Sequence, residues 1–116
     1  MSSCVGRNCG FLKSVAKSSK SQRRKLINGA SADNIKAVAE IALNTLRGNV
    51  HLTPAQKTKL KRYKLKLRHL ANKRLSAKHK KKLLVQNGGV LPLLVAPILS
   101  LIGGLAGKAI GRAVGL

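Results

Sequence analysis

Apolar residues recur at three- and four-residue steps along most of this chain, with cationic and amide side chains between them, and that period predicts helices. Phe11, Leu12, Val15 and Ala16 form a first short stripe. Ser18-Ser19-Lys20-Ser21 interrupts it, and the pattern resumes over Gln22 to Asn28 until Gly29 ends it. Ser31 suits an N-cap for a helix over Ala32 to Arg47, whose Ile35, Val38, Ile41, Ala42 and Leu46 share one face. Lys36 and Glu40 face the other way at an i,i+4 spacing, and Gly48-Asn49 closes the helix.

Val50-His51-Leu52 leads directly into Thr53-Pro54-Ala55-Gln56. There Thr53 can cap, Pro54 can open the first turn, and Gln56 can complete a capping box. Leu60, Tyr63, Leu67, Leu70 and Ala71 follow as a single stripe, so the two helices are expected to pair as an antiparallel hairpin. Ser76 caps a shorter helix over Ala77 to Gln86, stopped by Asn87-Gly88-Gly89. The fold class expected is all-α: a small basic helical hairpin or bundle with a flexible N-terminal lead and a hydrophobic, Gly-rich helical tail. The divisions fall at 1–30 for the lead, 31–87 for the basic domain and 88–116 for the tail.

Charge sharpens this picture. The 116 residues carry 24 Lys and Arg against 2 Asp and Glu, a net charge of +22, and only Lys108 and Arg112 of the basic residues lie after Gly88. The density peaks between positions 57 and 82. Lys57, Lys59, Lys61, Arg62, Lys64, Lys66 and Arg68 come first, then Lys73, Arg74, Lys78, Lys80, Lys81 and Lys82, with no acid among them. Like charges at that density repel and oppose a compact state, and a bound polyanion removes the repulsion. These residues are the candidate nucleic-acid-binding set. One Phe, one Tyr and no Trp leave little to stack on bases, so phosphate contact without sequence reading is expected.

From Gly88 to Gly107 there is no charge. That length just spans a bilayer, although Pro92 and Pro97 favour a bent or interfacial segment over a straight span. Beyond Ile98, Leu101, Ile102, Leu105, Ala109 and Ile110 share a face. Gly103, Gly107, Gly111 and Gly115 form a small-residue ribbon of the kind that lets helices approach closely in a membrane. The tail is therefore expected to meet a membrane or a capsid protein, or to support self-association.

Little catalytic chemistry is available. Asp33 and Glu40 are the only acids, which excludes paired-carboxylate catalysis, and no nucleophile–base pair or phosphate-cradling loop is present, so the chain does not read as an enzyme. Cys4 and Cys9 lack the further Cys or nearby His of a zinc site, since His51, His69 and His79 are scattered. No metal and no cofactor is expected, and the thiols suit a reducing compartment. Ser14, Ser18, Ser19 and Ser21 lie among cations and serve chiefly as solubilising residues. Two rival readings are a membrane-active cationic peptide, drawn to anionic lipid before its tail inserts, and a ribosome-associated basic protein.

The layout of ALNTLRGNVHLTPAQKTKLKRYKLKLRHL followed by KHKKKLLVQNGGVLPLLVAPILSLIGGLAG resembles the precursor of the adenovirus core peptide mu (protein X). It is closer to counterparts in the adenovirus-like Polintons and adintoviruses. The adenovirus peptide is Arg-rich where this chain relies on Lys. The resemblance covers about residues 31–107 and implies a virion core protein that condenses double-stranded DNA, found in the virion and the host nucleus. It also implies maturation cleavage at sites of the form (Met/Leu/Ile/Asn/Gln)-x-Gly-Gly-x. Gln86-Asn87-Gly88-Gly89-Val90 and Leu101-Ile102-Gly103-Gly104-Leu105 match, which makes Gly88, Gly89, Gly103 and Gly104 the candidate processing positions.

Overall fold

The computed structural model describes residues 3–102, and over that range the chain is all-α. Eight helices follow one another among the described residues. They are α1 (Ser3–Arg7), α2 (Cys9–Lys17), α3 (Lys20–Asn28), α4 (Ala32–Leu46), α5 (Pro54–Lys61), α6 (Lys64–Ala71), α7 (Ala77–Gln86) and α8 (Val90–Ile102). Local chemistry places several of their starts. Ser19, Ser31 and Thr53 each accept from the backbone N–H three residues on, and Gln22, Asn34 and Gln56 return the bond to the cap's own N–H. Ser76 accepts from the N–H of His79. Each such cap stabilises its helix by about 1 kcal/mol.

Helix α4 also ends by rule. Gly48 takes a left-handed φ of 77°. Its N–H reaches Thr45 O at 3.2 Å, while Asn49 N–H reaches Asn44 O at 2.9 Å. This pair of bonds satisfies carbonyls that the helix end would otherwise leave open, and glycine takes that φ without strain.

Helix α4 is the hub: it packs against α1, α6, α7 and α8, burying Ile35, Ala37, Val38, Ile41 and Ala42. Leu60, Leu67 and Leu70 are buried as their spacing predicts, with Tyr63 and Ala71 packed beside them. The stripe is carried by two helices, because the chain breaks at Arg62–Tyr63 between α5 and α6.

The ends of the described chain depart most from expectation. The first thirty residues form three helices, and Val5, Leu12, Val15 and Ile27 lie fully inside the core. Helix α8, expected at the start of an appended tail, packs against α2, α4 and α5. Its Val90, Leu91, Leu94, Val95 and Ile98 have at most 1% of their surface exposed. The helix also runs through Pro97, where a bend was expected. Pro92 falls in the first turn, where no intrahelical bond is lost, so it costs little. Pro97 costs about 3 kcal/mol in a helix interior, and the burial around it outweighs that. A Cα radius of gyration of 13.1 Å is what a single compact body of about 100 residues has, so α1 and α8 both belong to that body. The glycine ribbon from Gly103 onwards, with Lys108 and Arg112, lies outside the described residues.

Asp33 joins α1 to the start of α4. Its carboxylate accepts from Arg7 Nη2 at 3.1 Å and from Asn8 Nδ2 at 2.9 Å, with the Cys4 thiol at 3.7 Å. Asn34 Nδ2 also donates to Asn8 Oδ1, closing a small network. The hydrogen bonds from Asn8 and then Arg7 hold the Asp33 carboxyl below its usual pKa. Burial, followed by the neighbouring Asp33 charge, pushes the Cys4 thiol up. A carboxylate depressed in the folded state contributes stability above its unfolded value, near 3.9, and loses it as pH falls through the folded value. Melting temperature should therefore fall as pH drops below about 4, and Asp33→Asn should flatten that limb. An unchanged acid limb in Asp33→Asn would separate this network from acid stability.

Candidate nucleic-acid interface

The stripe that buries Leu60, Leu67 and Leu70 forces the cations between them outward. On α5, Lys57, Lys59 and Lys61 are exposed, followed by Arg62 in the break. On α6, Lys64 and Arg68 are exposed and Lys66 is half-buried. Lys73 and Arg74 project from the connection to α7, and Lys78 and Lys82 from α7 itself. Lys57–Lys61, Lys64–Arg68 and Lys78–Lys82 are i,i+4 pairs of like charge, each disfavoured by about 0.2–0.5 kcal/mol on a helix surface.

Little acid is available to relieve this. Both carboxylates of the chain belong to α4: Asp33 pairs with Arg7, and Glu40 lines the groove that also holds Lys36, Lys73 and Lys80. Most of the exposed cations of α5–α7 are thus left to solvent counterions. A polyanion can displace those counterions with a gain in entropy.

Two members of the predicted set have other positions. Lys81 is half-buried and donates to the Asn28 carbonyl at 3.3 Å, where a cation suits the C-terminal end of α3. Lys80 is only 7% exposed, and burial pushes its pKa below the usual lysine range. It borders two concavities. One is a largely apolar groove of about 540 Å³ lined by residues including Ile35, Ala39, Leu43, Ala71 and Ala77. The other, about 590 Å³, is a cleft between α6 and α7 that includes Lys66, His69, Asn72, His79, Lys82 and Gln86.

Helix α3, expected over Gln22 to Asn28, begins two residues earlier, and its cations lie outside the predicted binding set. That helix packs against α7 and presents Lys20, Arg24 and Lys25 to solvent, enlarging the cationic surface. Its cue was the Ser19-x-x-Gln22 capping pattern, hidden in a run taken as an interruption. Arg23 on the same helix turns inward, and its Nη1 donates to Gly88 O at 2.6 Å.

That bond bears on the Gly88-Gly89 boundary, where cleavage would need an extended backbone; Gly89 is exposed, but the backbone is not extended. Instead it is a closed turn: Val90 N–H bonds to Asn87 O at 3.0 Å, and α8 leaves α7 at 103°. A Cβ at Gly89 would stand 3.3 Å from the Tyr63 hydroxyl, so a small residue fits this turn. The reason is packing, because the fully buried Val90 draws the turn against the core. Gly103 and Gly104 lie outside the described residues. Among those residues no single helix is long and apolar enough to cross a membrane, although α7 and α8 pass together as a bent pair.

Comparison of the chain with protein-family models, with curated proteins and with solved structures finds no match.

Proposed function

We propose that this chain is a non-catalytic packaging protein that binds and condenses double-stranded DNA through phosphate contacts, without reading bases. The observation that carries the reading is the unneutralised surface. Exposed Lys and Arg cover α5, α6 and α7, while both acids sit on α4. The resemblance to adenovirus core-peptide precursors supplies the setting: a virion core of an adenovirus-like element, assembled in a host nucleus. In that setting, contact with capsid protein or membrane, or self-association, falls to the segment beyond residue 102.

The membrane-active rival makes a different demand on the fold, because α8 must leave the core before its apolar face can meet lipid. Retardation of several unrelated duplexes, run beside leakage from anionic liposomes, separates the readings. Equal retardation of all duplexes without leakage is expected, and leakage without retardation would favour the rival. The charge should act collectively. Lys61→Gln or Lys64→Gln alone should weaken DNA binding slightly and lower the salt slope by about one unit at most.

A further inference from the structure

Arg23 stands apart from the other cations of α3. Lys20, Arg24 and Lys25 face solvent, whereas Arg23 turns toward the α7–α8 turn and donates from Nη1 to Gly88 O at 2.6 Å, across 65 residues of chain. Its Nε is buried and has no partner among the described protein groups. A guanidinium carries its N–H donors in a planar fork, so a single carbonyl leaves most of that fork without a protein partner. The position is favourable all the same, because the carbonyls at the C-terminal end of α7 attract a cation.

The bond also lies beside the cationic surface. Lys20 and Arg24 line the same concavity as Arg23 and Gly88, with Ile27, Leu84 and Val85 as its apolar part. That concavity is about 20 Å³, room for about one water and too little for a phosphate. An anion drawn to Lys20 and Arg24 therefore cannot enter, and Arg23 has to swing out to meet it. Phosphate then offers the fork two parallel bonds where Gly88 offers one.

We propose that Arg23 is a polyanion-operated latch. In the free chain it holds the turn at Gly88 and Gly89 closed, and a phosphate on α3 draws it off the Gly88 carbonyl and loosens that turn. The trigger rests on the polyanion reading; the latch itself rests on the Arg23–Gly88 bond. The consequence is an order of events. The turn backbone opens only after the chain has seated on its polyanion, while α8 stays held by α2, α4 and α5.

Amide hydrogen exchange in the full chain reads the turn. The Val90 N–H closes it on Asn87 O, and the amide of Ile41, buried on α4, is the internal reference. Val90 should exchange slowly in the free parent, and a saturating short duplex should speed it about tenfold relative to Ile41, the scale of one hydrogen bond to a charged group. Arg23→Met should exchange as fast without DNA and gain nothing further from duplex. A merely structural Arg23 would speed exchange on substitution but leave the parent insensitive to duplex. Lys20→Gln combined with Arg24→Gln changes exposed residues only, so the free chain should keep its slow turn while the duplex response weakens several-fold. Lys61→Gln, on α5, should keep that response.

Exchange in Arg23→Met no faster than in the parent overturns the latch. Bound duplex with Val90 exchange unchanged or slowed, or an undiminished response in the Lys20→Gln, Arg24→Gln chain, overturns the trigger. If Arg23→Met unfolds, seen as lost protection at Ile41, the double variant decides alone. A parent that binds no duplex removes the packaging reading and the trigger with it, whereas faster exchange in Arg23→Met still upholds the latch.

Discussion

A chain ending at Gly89 is expected to lose its cooperative fold. The truncation removes Val90, Leu91, Leu94, Val95 and Ile98, all essentially inaccessible to solvent in the intact chain. Burying side chains of this kind contributes about 1.5–3 kcal/mol each, so the five together supply on the order of 10 kcal/mol. A small domain has about 5–15 kcal/mol of net stability, so little or nothing would remain. Circular dichroism of residues 1–89 without DNA should show weak helix and no sigmoidal melt, whereas the full chain should show strong helix and a cooperative melt. A cooperative melt in the truncated chain would mean that α8 is dispensable.

The same arithmetic changes what cleavage after Gly89 would accomplish. Peptide hydrolysis there would place a charged amino group on Val90, inside the core, and sever α8 from the helices it supports. Release of a folded basic domain, the simple reading of a cut at the composition boundary, is not the expected product. Cutting would instead yield a polycation without a stable core, which DNA could order by neutralising it. An adenovirus-type protease offered the intact chain should act slowly at this closed turn and faster once the domain is thermally loosened. Rapid cleavage with retention of the native melt would contradict the packing of α8.

Leu67→Asp is the second large effect. Leu67 is 3% exposed on α6, the helix that packs on the α4 hub. A carboxylate at that position must shed its hydration, with an effective penalty of several kcal/mol in addition to the lost leucine burial. The domain should unfold, and duplex DNA should restore helix only in part. Leu65→Asp is the matched control, since Leu65 is 59% exposed on the same helix. Equal loss of helix in both variants would mean that added acid acts through the cationic surface and not through the core.

Much of the helix punctuation was legible because it is local. Ser31, Thr53 and Ser76 declare three helix starts through side chains that reach only three residues ahead. The buried faces of α4 and of the Leu60–Leu67–Leu70 stripe follow from period alone. The break at Arg62–Tyr63 was not legible, since apolar spacing continues across it and the interruption depends on packing between helices.

The role of α8 was hidden for a different reason. A charge-free run beside a polycation suits lipid and a protein core equally in composition, and only the presence of α2, α4 and α5 around it decides. Lys80 belongs to the same class. Nothing in AKHKKKLLVQ separates it from Lys78 or Lys82, and its burial follows from the placement of α6 against α7. The surface character of most of the cationic set was readable from helical phase; which cations have other tasks was not.

The most direct test of the central claim is the affinity for duplex DNA measured against salt, on two unrelated sequences of equal length. For Z neutralised phosphates the logarithm of affinity falls against the logarithm of salt with a slope of about −0.9Z. Six or more contacts, which the exposed cations of α5–α7 can supply, imply a loss of about 10³-fold or more between 50 and 200 mM salt. The account predicts a slope steeper than about −5, the same for both duplexes. A slope near zero, or a tenfold preference for one sequence, would contradict it.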